Sequence, residues 1–534
     1  MTSSRMTPEQ ASRLSLAEQY EWFRRATSRR ALLRGGAIGA GAAIAGPALL
    51  AGTASASTAG SAVKATPALL TTSSGSLGSY LAPFGRHIAY GADPTSQIAV
   101  AWQVAGSVNN PFVRVGPAPS DLSGPIRAQV RNLATPLADI TSPVDSVAPS
   151  QTYPIEQYYL HATINGLRPG QTYYYSVGHD GFDNGVVSGT FTTAPRGRSP
   201  FRFTAFGDQG VSYDAVGTAT QVRSQNPAFH LHAGDVSYAE NGGDGLITDA
   251  YDPRVWDQWF NEVEAAAGSI PWQVAVGNHE MEPWYSPDGY GGQYARFDFP
   301  GEASNSTPPT YYSFTYGNVG IVSLDANDVS YEIPANFGYS GGAQTTWLAS
   351  TLASLRANPA IDFIVAYFHH CAYSTCVVHG SEGGAEQFWV PLFDQYQVDL
   401  VINGHNHIYE RTDPLRGGTV SLSGGAPIGS TVHPATDGTT YITAGGAGKS
   451  LYSFSAPDSY EGAVDNVSPV STYINEAGGT TTNENVTWSR VRYTGYCLLV
   501  IDSVPGAWSG AKSTLKVRGL NEAGVELDNV SLVR

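Results

Sequence analysis

Five short apolar runs in this chain each end, within a residue or two, on a side chain that can hold a metal ion. Phe201-Arg-Phe-Thr-Ala-Phe leads into Gly207-Asp208-Gln209-Gly210. Ala228-Phe-His-Leu-His-Ala leads into Gly234-Asp235-Val236-Ser237-Tyr238. Trp272-Gln-Val-Ala-Val leads into Gly277-Asn278-His279-Glu280. Residues 361–368 lead into His369-His370, and residues 398–403 into Gly404-His405-Asn406-His407. Stretches of helical character, as at 252–267 and 343–357, alternate with these runs, which is the pattern of an α/β domain. In open α/β sheets ligands gather beyond the carboxyl ends of the strands. Five such strands aim Asp, Asp, Tyr, Asn and His side chains at one rim. A glycine just ahead of the ligand lets the backbone turn sharply out of the sheet. Eight of the twelve histidines fall between 230 and 407, as a metal site requires.

Each block alone is weak. A Gly-Asp after a strand is more often a turn than a ligand, and a lone Tyr238 is most simply structural. His230 and His232, inside a strand, read as packed rather than coordinating. The five blocks in order are hard to assign to turns alone.

The 534 residues predict two to four domains. A hydrophobic fraction of 42% supplies a core, while 14% charged residues with 60 Gly and 33 Pro favour a strand- and loop-rich protein. The net charge of −16 argues against a nucleic-acid scaffold binder, which needs a basic face. It excludes no anionic substrate, because a bound cation dominates its local field. Three cysteines do not make a disulfide framework. Cys371 and Cys376 are close enough in sequence to bridge a short loop, or to be two free thiols.

Residues 1–56 are read as an export signal. Ser-Arg-Arg-Ala-Leu-Leu-Arg at 28–34 resembles the bacterial twin-arginine signal, a soft Gly/Ala-rich run follows, and Ala54-Ser55-Ala56 offers a small-residue cleavage site. The run contains Pro47 and falls short of the ~20 residues a membrane span needs, so no stable span is expected after cleavage. The signal holds seven arginines and three acidic residues, so its removal leaves the remainder at −20. Residues 57–82 read as a flexible linker rich in Ser, Thr, Ala and Gly. Residues 83–196 carry short strands between turn residues, such as Ile98-Ala-Val-Ala-Trp102 and Tyr173-Tyr-Tyr-Ser-Val177. With Leu167-Arg-Pro-Gly-Gln-Thr-Tyr they resemble a fibronectin-III-like β-sandwich, for which a spacer or substrate-rim role is expected. Residues 197–534 are read as a second, α/β domain that ends in β segments such as 496–501.

Gly-Asp-x-Gly, Gly-Asp-x-x-Tyr, Gly-Asn-His-Glu, a strand-end His and Gly-His-x-His follow the metallophosphoesterase pattern, and the Tyr in the second block resembles the purple acid phosphatase branch. The resemblance runs from about Arg86 to Gly448. It implies a two-domain α+β protein: a fibronectin-III-like β-sandwich followed by an α/β metallophosphoesterase domain with two packed β-sheets flanked by helices. It implies a ferric ion held by Asp208, Tyr238 and His407, a divalent ion (Zn, Fe or Mn) held by Asn278, His369 and His405, and Asp235 bridging both. Hard oxygen donors suit Fe³⁺, while imidazole and an amide oxygen suit the divalent ion. A ferric–tyrosinate bond implies a purple colour.

His279 and His379 match the family's outer histidines, which bind phosphate and act as general acids; Asn278 also reaches substrate. Orientation of the ligands is the other reading of His379. Alignment to Tyr373 favours His369 over His370 as ligand. Cys371 stands where the family often has Pro, and His379-Gly380 where plant members tend to carry paired histidines. The activity implied is secreted hydrolysis of small phosphate monoesters by a metal-bound hydroxide. The alternatives are a phosphodiesterase or nucleotide pyrophosphatase on the same site, and a non-catalytic secreted binding protein. The sequence leaves the oligomeric state open.

Overall fold

The computed structural model describes residues 6–35, 81–135, 155–301, 310–454, 464–465, 469–507 and 510–534. The soft apolar run, Ala54-Ser55-Ala56 and all but the end of the expected linker lie outside these residues. Among the described residues no helix is long and apolar enough to cross a membrane.

The protein is a two-domain α+β molecule. Its first part is two antiparallel four-stranded sheets. One pairs Phe84–Tyr90, Ile98–Val104, Ile155–Ile164 and Gln129–Thr135 in that order; the other pairs Ile126–Arg127, Phe112–Gly116, Thr172–Gly178 and Gly189–Thr192. Trp102 lies fully buried between them and what they pack on.

The second part contains the two large sheets. Trp272–Val274, Phe229–His232 and Phe201–Phe206 run parallel at one end of a seven-stranded sheet. Cys497–Val504 then pairs antiparallel with Phe201–Phe206, followed by Thr514–Asn521, Glu526–Val533 and Ser430–Val432. The eight-stranded sheet has Val319–Ser323, Phe363–Phe368, Leu400–Asn403 and Thr440–Ala444 as its parallel centre. Successive side chains of a strand point to opposite faces. Val365 and Tyr367 accordingly join the core shared with Phe203 and Leu231 of the other sheet. Ile364, Ala366 and Phe368 face the second core with Leu348 and Leu352 of helix Ala343–Ala357 and with Trp389 and Phe393.

Helix Arg254–Ala267 buries Trp256, Trp259, Phe260, Val263 and Ala267, a stripe at helical spacing, between the seven-stranded sheet and the sandwich. The sandwich is more than a spacer. His87 Nε2 lies 2.9 Å from Arg296 O, His161 Nδ1 2.6 Å from Asp298, and Arg131 2.8 Å from the same carboxylate. These contacts clasp the 281–301 segment that lies beside the ligand loops.

The leading residues are folded too. Thr7 and Gln10 form a reciprocal cap on the short helix Pro8–Ala11, and a longer helix spans Leu16–Gly35. Met6, Ala11, Leu16, Tyr20 and Phe23 are buried. All three cysteines are free and buried, so the bridge between Cys371 and Cys376 is not formed; Cys371 Sγ instead donates to Gly404 O.

Candidate metal centre

Three parallel strands of the seven-stranded sheet lead to Asp208, Asp235 and Asn278, and two adjacent parallel strands of the eight-stranded sheet lead to His369 and to His405 with His407. All seven expected ligands, Tyr238 included, are nearly or fully buried.

The expected role of the glycines needs correcting. The positive φ sits mostly on the ligands: Asp208 at 62°, Asp235 at 52°, Tyr238 at 59° and His405 at 66°. Only seven non-glycine residues among those described have positive φ, so the site holds more than half of them. Each such residue costs on the order of 1–3 kcal/mol, and such strain clusters where function demands it. The glycines provide room instead. A Cβ on Gly277 would sit 2.0 Å from Asp235 Oδ1, and one on Gly404 2.6 Å from Asp208 Oδ2. Of the four, only Gly234 itself takes a positive φ, at 83°.

The side chains converge as two adjoining groups. Tyr238 OH lies 3.0 Å from Asp208 Oδ1 and 2.9 Å from His407 Nε2. His369 Nε2 lies 3.0 Å from Asp235 Oδ2 and 3.2 Å from His405 Nδ1. His369 Nε2 is also 3.9 Å from Asp208 Oδ1, which joins the groups. Asn278 Nδ2 donates to Gly243 O at 3.0 Å, which turns its Oδ1 away; that buried oxygen and Asp208 Oδ2 have no hydrogen-bond partner among the described residues. Buried polar atoms are rarely left so.

The outer nitrogen of each ligand histidine is already engaged: His369 Nδ1 with Ala233 O at 2.9 Å, His407 Nδ1 with Ser450 O at 2.6 Å, His405 Nε2 with Glu332 Oε2 at 3.0 Å. Such contacts leave the other nitrogen's lone pair for a cation. His370 is buried behind His405, its rings 4.3 Å apart, and makes neither contact. His230 bonds Thr204 at 2.9 Å and packs on Phe206 and Trp272, as a packed histidine should; His232 also packs on Phe206 and Trp272.

The protein charges alone are unbalanced. Burial, then Asp208 and Asp235, hold the Tyr238 phenol well above its ordinary value. Burial lowers His369, but Asp235 and Asp208 outweigh it and raise the imidazole to about 9. Burial raises Asp235, yet His369 and His279 bring it well below the usual carboxylate range. Ionising that phenol beside two carboxylates would require a cation of high charge. The donor set, the unpartnered oxygens and the anchored imidazoles all fit a pair of metal ions.

His279 and His379 stand at the edge of this cluster. His279 N donates to Asp235 Oδ1 at 3.0 Å, and its Nδ1 lies 2.7 Å from Glu240 O. The His379 ring lies against that of His405, centroids 4.0 Å apart and tilted by 33°, and its Nδ1 is 2.6 Å from Glu332 Oε1.

Several neighbours were not singled out by sequence. Glu280, already inside the Gly-Asn-His-Glu block, accepts from Asp235 N, Val236 N and Gly277 N, all at 2.8 Å. Lys449 Nζ sits 4.1 Å over the Tyr238 ring, and Tyr452 stacks on His407 at 4.0 Å. Glu332 reaches both His379 and His405, and no local pattern announces it.

Residues 83–194 match the family described as purple acid phosphatase, N-terminal domain, and residues 201–409 that described as calcineurin-like phosphoesterase. An uncharacterized protein of Mycobacterium tuberculosis is 36% identical over 396 residues, covering 68% of this chain and 69% of its own. Purple acid phosphatase 23 of Arabidopsis thaliana is 30% identical over 283 residues, 49% of this chain and 60% of that protein. The solved structure of a purple acid phosphatase from yellow lupin (Lupinus luteus) seeds matches the fold with a TM-score of 0.61 at 20% identity, over 85% of this chain and 75% of that one.

Proposed function

Because this chain belongs to the purple acid phosphatase-type metallophosphoesterases and is a metal-dependent phosphoesterase, we propose that it is an exported acid phosphatase acting on small phosphate monoesters at a ferric–divalent pair. Asp208, Tyr238 and His407 would hold the ferric ion; Asn278, His369 and His405 the divalent one (Zn, Fe or Mn); Asp235 both. The observation that carries this reading is the meeting of the Asp208–Tyr238–His407 and Asp235–His369–His405 groups around unpartnered buried oxygens.

When bound, the ions would supply a water acidic enough to attack at low pH and positive charge for the phosphoryl oxygens. The chain's own groups do the rest. The His279 N–H orients Asp235, and the contact of its Nδ1 with Glu240 O leaves Nε2, 3.7 Å from Asp235 Oδ2, toward the substrate side. Glu332 holds His379 by Nδ1, so Nε2 is free to protonate a leaving oxygen. The arginine pair Arg29-Arg30 supports export by the twin-arginine route.

Metal content, the visible spectrum and the rate ratio on matched chromogenic mono- and diesters at acid pH test this reading. Iron plus a divalent ion, a purple protein and monoester preference are expected. A colourless protein with two zinc ions removes Tyr238 from ferric ligation, and diester preference moves the substrate to nucleotide or lipid diesters. Asp235→Asn is expected to lose paired metal binding and on the order of a thousandfold in kcat, several kcal/mol of charge stabilisation. Full activity with both ions would sink the bridging role.

A further inference from the structure

The stretch ahead of the arginine pair is seated on the loops that carry the site. Leu16 is 2% exposed and packs in one cluster with Val276, Met281, Tyr290 and Ile333. Val276 and Met281 bracket Asn278 and His279 in sequence, and Ile333 follows Glu332 directly. A Cβ on Gly245 would lie 3.4 Å from a Leu16 methyl, and one on Gly289 3.2 Å from the other. Both glycines have positive φ, at 67° and 81°, so the two turns open a slot that the leucine fills. Next to it, Gln19 Oε1 accepts from Ile247 N at 3.0 Å. The 243–247 turn also carries Gly243 O, the acceptor that orients the Asn278 amide. Tyr20 and Phe23, at 4% and 3% exposure, are buried on the same helical face, Phe23 within the main core.

We propose that this surface, built from residues 243–247, 276–290 and 333, is a docking surface for the chain's own residues 6–23, and that docking and closure of the Asn278–His279 loop are one cooperative event. Leu16 shares one apolar cluster with residues on both sides of the loop and with the neighbour of Glu332. An open loop removes the slot, and an empty slot removes a support of the loop. Coupling between two sites is reciprocal in binding free energy. Ions that draw Asn278 and His405 together therefore tighten the seat of residues 6–23, and the seated segment tightens ion binding by the same factor. Release of the segment, as by the cleavage expected near Ala56, relaxes the rim. The inference rests on the metal reading of the site only in its ion-dependent part.

Hydrogen exchange on the full chain tests it, comparing the wild type, Leu16→Asp and Gln19→Ala, each as purified and after chelation. The expected result is slow exchange across 8–23 in the wild type, faster by about tenfold after chelation, in the usual range of such couplings. Leu16→Asp is expected to speed exchange in 6–23 and 276–290 while leaving 98–104 of the sandwich unchanged, and to raise the divalent-ion Kd by the same factor. Gln19→Ala should do the same more weakly. Fast exchange across 8–23 in the wild type, or unaltered exchange at 276–290 in Leu16→Asp, overturns the docking. Bound ions with no effect of chelation on 8–23 overturn the coupling. A protein that binds no ions at all refutes the metal reading, while the Leu16→Asp comparison still decides the docking.

Discussion

At the scale of single residues, the candidate ligands could be picked out because most of them close a strand whose apolar run is visible in the sequence. Asp208, Asp235, Asn278, His369 and His405 all follow that rule. Glu332 does not. It arrives from a segment between two elements and meets partners 47 and 73 residues further on, so nothing near it in sequence announces the contact. Its carboxylate fixes the outer nitrogen of His405, and loss of such a partner typically costs 10–100-fold in metal affinity. On the proposed ion assignment, Glu332→Gln is therefore expected to weaken divalent-ion retention by about that factor while leaving the visible band proposed for the Tyr238 side intact. Competition with a chelator, read alongside the spectrum, checks both halves. The glycines teach a second lesson. A glycine before a ligand suggests a turn, but the need for room becomes visible only when five loops from two sheets meet.

Among the elements, helix Arg254–Ala267 announced itself by its period, and so did Ala343–Ala357. What the helix touches across the sandwich was hidden, because the partners lie some hundred residues upstream. Asp257 accepts from Gln103 Nε2 and Gln157 Nε2, both at 2.6 Å. Burial raises its carboxyl from 3.8 to about 6 despite those two donors. The folded state thus binds a proton more tightly than the unfolded one. This contribution to stability is fully present below about pH 3.8 and is lost as pH rises through about 6. Asp257→Asn, which cannot ionise, should gain on the wild type on going from pH 4 to 7, by on the order of 1 kcal/mol per pH unit across that window. Thermal unfolding at the two pH values reads the difference; a gap that stays constant would remove Asp257 as its source. The packing of the leading helix was hidden for another reason. Leu16, Tyr20 and Phe23 form a helical face in plain sight, but the arginine pair behind them draws the whole stretch into the reading of an export signal.

Over the whole molecule, the sandwich and the catalytic part share one core. Arg296 is its polar centre: it is fully buried, 2.7 Å from Glu282, 3.3 Å from Tyr159 OH of the sandwich, and 4.2 Å over the Trp256 ring. Removing one partner of such a pair strands the other charge and costs about 3–5 kcal/mol. Arg296→Met should destabilise the protein by about that amount, and adding Glu282→Gln should recover part of it, as denaturant unfolding of the single and double variants would show. The sheet order carries a further consequence, in the timing of synthesis. Phe201–Phe206 leads to Asp208, yet one of its two neighbours is Cys497–Val504. A ribosome adding about 5–20 residues per second needs roughly 15–60 s to cover the roughly 300 residues between them. Throughout that interval the strand beside the first ligand is an open edge, a template for wrong partners. The nascent chain cannot finish the sheet that carries Asp208 until nearly all of it has been translated.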